Sequence, residues 1–94
     1  MTREEVEELL VDSNPEALFL DGFDDAIIGL AERPNLGPVV AYDESKIIDI
    51  LAETMEVGEG EEDDKYSMAI EYYEFNIKGS WLGEGTPIII TTIY

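Results

Sequence analysis

The residues able to do chemistry in this chain are almost all carboxylates. Twenty-three Asp and Glu face five Lys and Arg, His and Cys are absent, and the formal net charge is −18 over 94 residues. One grouping beside a turn residue, Asp21-Gly22-Phe23-Asp24-Asp25, invites a metal reading. Calcium and magnesium take clustered carboxylate oxygens. A hairpin that starts after Asp25 and ends at Asp43 would bring those two residues together, with Asp21 or Asp24 close by. The segment departs from the EF-hand pattern, because Phe23 stands at the third ligand position and Ala26 where the loop glycine belongs. The competing reading is turn chemistry around Gly22 with a helix cap at Asp43. Both stay open from sequence, and no metal or other cofactor is assigned.

Catalysis has little to build on. Without His or Cys the usual general base and the thiol nucleophile are missing, and Ser13, Ser45, Ser67 and Ser80 have no imidazole to activate them. A carboxylate pair could in principle hydrolyse a glycoside, but a chain this short rarely also builds a cleft of several hundred Å³. Gly83-Glu84-Gly85 lacks the later glycine and the following helix of a dinucleotide fingerprint. The expectation is a protein that is not an enzyme.

The charge itself selects partners. At neutral pH such a surface repels nucleic acid and anionic lipid and attracts basic proteins. A folded chain of this length has a radius of gyration near 12 Å and a diameter of about 32 Å. A DNA duplex of that length carries about 19 phosphates, so the charge count allows imitation of DNA, provided the acids form two rows on one side. The rival reading is a coat that merely keeps a small domain monomeric and away from nucleic acid. Candidate partner-binding acids are Asp21, Asp24 and Asp25, and the block Glu59, Glu61, Glu62, Asp63 and Asp64. Aromatic residues crowd one region of the sequence. Tyr66 and Tyr73 fall on one helical stripe, whereas Tyr72 and Phe75 lie off it and Trp81 precedes a Gly-flanked turn. Tyr72 and Phe75 read either as core or, with Trp81, as a contact patch of the kind that Tyr and Trp favour at interfaces.

The elements that must position these residues follow from periodicity and punctuation. Thr2-Arg3-Glu4-Glu5 fits a capping box, with Val6, Leu9 and Leu10 marking one face of a helix that ends near Ser13, ahead of Pro15. Residues 26–32 read as a strand, Pro34-Asn35-Leu36-Gly37 as a turn, and 39–42 as a second strand, forming an antiparallel hairpin with a longer loop. Asp43 is placed to cap a helix over about 44–55, with Ile47, Ile48, Leu51 and Met55 inward. A third helix spans about 65–78, with Tyr66, Ala69, Ile70, Tyr73 and Ile77 as its stripe and Gly79 as terminator. A closing strand runs from Thr86 to Ile93. The order is α-β-β-α-α-β, and the expected fold class is α+β: a single domain over 1–94 with a three-stranded antiparallel sheet and three helices.

Area scaling leaves about 64% of the unfolded surface buried at this mass, enough for one small core. Self-repulsion opposes folding, so stability is expected to rise with salt. Met1 to Glu5 holds no apolar run and Ile88-Ile89-Ile90 is far too short to span a bilayer, so neither a signal peptide nor a membrane span is expected. The chain reads as soluble and cytoplasmic.

Three stretches form a wider pattern: Asp21-Gly22-Phe23-Asp24-Asp25-Ala26-Ile27-Ile28-Gly29, Val39-Val40-Ala41-Tyr42-Asp43, and Glu71-Tyr72-Tyr73-Glu74-Phe75-Asn76 with Gly79, Trp81, Gly83, Glu84, Thr86 and Pro87. Over about residues 18–90 it resembles a group of small, acidic, uncharacterised proteins of tailed bacteriophages. The resemblance implies an origin, a phage product working in the bacterial host cytoplasm, and no activity or site residue. The expected function is an acidic protein that binds and inhibits or modulates a host protein with a basic surface, one that itself binds nucleic acid being the case DNA imitation would suit. The partner is then a basic host protein, with no direct contact to nucleic acid or membrane. The alternative is a phage structural or assembly component that self-associates through the strand Ile88 to Ile93, an edge able to pair with a second copy.

Overall fold

Local signals set most of the chain's architecture. The computed structural model describes residues 2–55 and 64–91. The Thr2 hydroxyl accepts the Glu5 N–H at 3.2 Å and opens helix α1 (Arg3–Ser13). The helix ends at Ser13, since Pro15 disfavours a helical Asn14, and the Asn14 side-chain amide donates to the Pro38 carbonyl at 2.9 Å, tying the helix end to the sheet. A 3₁₀ turn at Asp24–Ala26 leads into β1 (Ile27–Arg33). β1 pairs antiparallel with β2 (Leu36–Asp43), from Ile27 opposite Tyr42 to Arg33 opposite Leu36.

The connection between these strands is shorter than the four-residue loop expected. Pro34 and Asn35 alone make the turn, and Leu36 and Gly37 belong to β2. Proline presets the first central φ and Asn35 takes φ 62° at the second, the pattern of a type II turn. That turn does not match the strand twist, and the register slips between Ala31 and Arg33. The Arg33 guanidinium closes the hairpin by donating to the Gly37 carbonyl at 2.7 and 3.2 Å.

The Asp43 carboxylate accepts the Ser45 N–H at 3.2 Å and starts α2 (Glu44–Thr54). α3 (Lys65–Tyr73) follows and continues as a π-helical turn over Glu74–Lys78. The last strand, β3 (Ile88–Ile90), lies beside β2 and makes the sheet order β1-β2-β3. The fold is a small α+β domain in the order α-β-β-α-α-β.

The sheet is mixed rather than wholly antiparallel, because β3 pairs parallel to β2, Ala41 with Ile88 and Asp43 with Ile90. The cause lies in the connection. The Tyr73 hydroxyl, at the end of α3, donates to Glu44 at the start of α2 at 2.7 Å, so the two helices return the chain to the end of β2. Going directly into a strand from there would give an antiparallel neighbour. Residues 79–87 instead carry the chain back beside the segment after α1, where Leu18 N–H donates to the Gly85 carbonyl at 2.9 Å. The chain has reversed once more before β3 begins.

The main core draws on every helix: Val6 and Leu10 of α1, Ile47, Ile48 and Leu51 of α2, Ala69 and Tyr73 of α3, packed on Ile27, Val40 and Tyr42 of the sheet. Leu9, expected inward, is half exposed, since α1 turns only Val6 and Leu10 to the sheet. Val39 and Ala41 are buried as well. They alternate with Val40 and Tyr42 and so stand on the opposite face of β2. The molecule measures 49 × 27 × 24 Å along its principal axes, longer than the roughly 32 Å sphere that chain length implies. Among the described residues no helix is long and apolar enough to cross a membrane.

Candidate functional site

The acids of the 21–25 turn do not converge on an ion position. Arg3, on the first turn of α1, gathers them: its guanidinium lies 2.9 Å from Glu7, 3.5 Å from Asp24 and 4.0 Å from Asp21. It also sits 4.5 Å over the Phe19 ring. The hydrogen bond to Glu7, followed by the fields of Asp24 and Asp21, holds the Arg3 guanidinium above its usual pKa. Asp43 is spent on its helix cap. Among the described residues no group of three or more acids is placed to hold a metal ion.

Asp25 points elsewhere. It borders a shallow hollow with Asp49 and Glu53 of α2, where Lys46 is the basic neighbour. Glu4, Glu7 and Glu8 line an open hollow on α1. The 3₁₀ turn therefore joins two acidic surfaces, one through Asp24 and Arg3 and the other through Asp25. Asp64 is exposed just before α3. Glu59, Glu61, Glu62 and Asp63 lie outside the described residues.

The aromatic residues are placed more sharply. α3 packs one face on α2 and the core, through Ala69 and Tyr73. Tyr72 and Phe75 face away. Phe75 is 84% exposed, Trp81 72% and Tyr72 48%. Two residues along a helix is a turn of about 200°, so Phe75 lies opposite Tyr73. With only one side of the helix covered, it stays in solvent. Tyr72 and Phe75 line an open, mainly apolar groove with Met55, Met68, Glu71 and Asn76. Trp81 is not among the residues lining that groove, and exposed Leu82 follows it in the 79–87 connection.

The methionines of the groove escape a reading based on aromatic crowding alone. A signal was present: Met68, Glu71, Tyr72 and Phe75 stand at i, i+3, i+4 and i+7, a second helical stripe beside the buried one. Methionine is the adaptable apolar residue of surfaces that accept varied partners. The groove also carries a carboxylate, Glu71, and Glu74 is exposed nearby on the π-helical turn. π-helical turns are rare and recur at functional sites.

Two tyrosines are structural. Tyr42 is fully buried and its hydroxyl oxygen accepts the Leu20 N–H at 2.8 Å. Burial raises its pKa, with the Leu20 hydrogen bond acting the other way. Tyr73 is 2% exposed and donates to Glu44. Burial first, then the hydrogen bond to Glu44 and the fields of Glu44 and Glu74, push its pKa far above the ordinary tyrosine value.

Fold and surface together define a small α+β domain with an acidic exterior and an uncovered aromatic–methionine groove. Comparison with protein-family models, with curated proteins and with solved structures finds no match.

Proposed function

We propose that this chain is a small acidic interaction protein of tailed-phage type that binds a host protein through a basic surface and inhibits or modulates it. The observation that carries the reading is the outward stripe of α3, where Met68, Tyr72 and Phe75 form a groove edged by Glu71. Apolar anchors supply contact energy and the surrounding negative charge selects a basic counterpart and speeds its approach. The lack of His and Cys supports a binding role over catalysis. The likeness to acidic phage proteins supports a bacterial cytoplasmic setting.

Imitation of DNA is the narrower form of this reading. Two acidic hollows favour it, one lined by Glu4, Glu7 and Glu8 and the other by Asp25, Asp49 and Glu53, with Arg3 linking Glu7 of the first to Asp24, the neighbour of Asp25. Length weighs against it. A duplex as long as the 49 Å axis carries about 29 phosphates, well beyond the net charge of −18, and Arg3 and Lys46 interrupt the series. An acidic surface with an apolar anchor is the better-supported form.

The test is capture from bacterial lysate on immobilised full-length chain at low and moderate salt, read by mass spectrometry beside Phe75→Ala and Trp81→Ala. The expected result is one basic protein, released as salt rises and lost with Phe75→Ala. A capture profile identical for wild type and Phe75→Ala sinks the reading. The structural alternative, self-association, has one observation in its favour: β3 occupies a sheet edge with Ile90 39% exposed. Sedimentation at high micromolar concentration separates the two, since self-pairing of chains this acidic is opposed by repulsion.

A further inference from the structure

The connection that makes β3 parallel also borders a half-open cavity of about 270 Å³ on the far side of α3 from the groove. Leu20, Ile77, Leu82, Pro87 and Ile89 give it apolar walls. Its polar groups are unequal. The Ser80 hydroxyl is used on the Asn76 carbonyl at 2.9 Å. The Thr86 hydroxyl is used twice, donating to the Gly83 carbonyl at 2.6 Å and accepting the Leu82 N–H at 2.7 Å. Glu44 is different. One carboxylate oxygen accepts the Tyr73 hydroxyl, and among the described residues the other has no hydrogen-bond partner. Lys78 also lines the cavity, exposed, and makes no ion pair with Glu44 within 4.0 Å among the described residues.

We propose that this cavity binds a primary ammonium group on a short alkyl stem, the ammonium on the free oxygen of Glu44 and the stem against Ile77, Pro87 and Ile89. A carboxylate already oriented by Tyr73 is a fixed acceptor for a charged donor. The apolar walls suit methylenes, and the volume is near the lower bound of small-molecule sites. The net charge of the chain draws cations toward it. Lys78 acts as a competitor at the mouth. The ligand class covers a free alkylamine and a lysine side chain of another protein, which share this chemistry. The site is separate from the α3 groove, so loss of the lysate partner leaves it standing.

The experiment is a methyl NMR titration of the full chain with n-butylammonium, with Nα-acetyl-lysine methylamide and with butyrate, all at matched ionic strength. Saturable shifts confined to the methyls of Ile77, Leu82 and Ile89 are expected with the ammonium probes. Glu44→Gln keeps an acceptor for the Tyr73 hydroxyl and should weaken binding about tenfold or more by removing the charge. Lys78→Ala, at an exposed position, should tighten it about two- to threefold. Binding by both ammonium probes assigns a lysine side chain as the source, and binding by n-butylammonium alone assigns a free amine. Shifts scattered over the acidic surface without saturation at these methyls overturn the proposal. So does preference for butyrate, unchanged affinity in Glu44→Gln, or weaker binding in Lys78→Ala.

Discussion

α1 and α3 begin from similar material and end differently. Both are short amphipathic helices packed on the same core. In α1 the charged residues find one another: Arg3 holds Glu7 and Asp24 while Val6 and Leu10 go inward. In α3 there are more large apolar residues than the core accepts, and Met68, Tyr72 and Phe75 are left in solvent. The first helix also leaves Leu9 and Val11 outward, but its charges are tied into the fold through Arg3. The second carries a surplus stripe that its fold does not use, and the proposed partner binding rests on that stripe.

Truncation on the two stripes gives the largest contrast. Leu10→Ala removes a buried side chain and should cost about 2–5 kcal/mol, read as a lower urea midpoint. Phe75→Ala should stay within about 0.5 kcal/mol of wild type, because a residue already in water loses no burial. If Phe75→Ala destabilises as much as Leu10→Ala, the two helices are alike and the surplus stripe does not exist.

A second effect concerns the connection that separates the observed sheet from the expected one. A Cβ at Gly85 would run into the Glu16 carbonyl oxygen, backbone that cannot swing aside. Gly85→Ala should therefore cost about 1–3 kcal/mol through overpacking. Hydrogen exchange at the Leu18 amide, which donates to Gly85, should speed up while α1 amides keep their protection relative to global stability. Uniform loss of protection across the chain would show that 79–87 and the rest open as one unit.

Tyr73 gives a smaller, pH-dependent effect. Its pKa is raised in the folded chain. Above the ordinary tyrosine pKa of about 10, the unfolded chain has released that proton and the folded chain keeps it, so stability falls as pH climbs. Below pH 10 the contribution is fully present. Tyr73→Phe loses the hydrogen bond to Glu44 and should cost about 1.5–3 kcal/mol at neutral pH. It should then fall less steeply in alkali, so the gap to wild type narrows above pH 10. Parallel curves would mean that Tyr73 ionises alike in both states.

Much of this molecule was legible where the signal is local. The capping role of Thr2 and that of Asp43, the Pro15 stop and the positions of all three helices depend on neighbours within four residues. The parallel pairing of β3 was not, because it turns on where residues 79–87 dock, and no periodic pattern encodes a long-range docking. The turn was overextended because Pro34 and Asn35 suffice and Gly37 reads equally well as turn or strand. The exposure of Phe75 was open for a related reason: spacing puts it on the far face of α3, but only the count of packed neighbours tells whether that face is covered. For the acids of the 21–25 turn, sequence left a cation site and plain turn chemistry both open, and what it could not show is the long-range approach of one arginine, Arg3, to Asp21 and Asp24.

The smallest effect tests that arginine. Arg3 neutralises part of a crowded negative region, so Arg3→Gln should destabilise modestly at low ionic strength. Its partners are exposed or half exposed, with the Asp21 side chain fully so, and such pairs are screened by salt. At 1 M salt the Debye length is about 3 Å, and the difference between wild type and variant should shrink to what the contact with the Phe19 ring contributes. Wild type itself should melt higher as salt rises from low to moderate, since net repulsion is relieved. A deficit in Arg3→Gln that persists undiminished at 1 M salt would make Arg3 a packing residue. The acids of the 21–25 turn would then be free of it electrostatically, and the distinction between α1 as a helix whose charges are tied into the fold and α3 as an open one would rest on α3 alone.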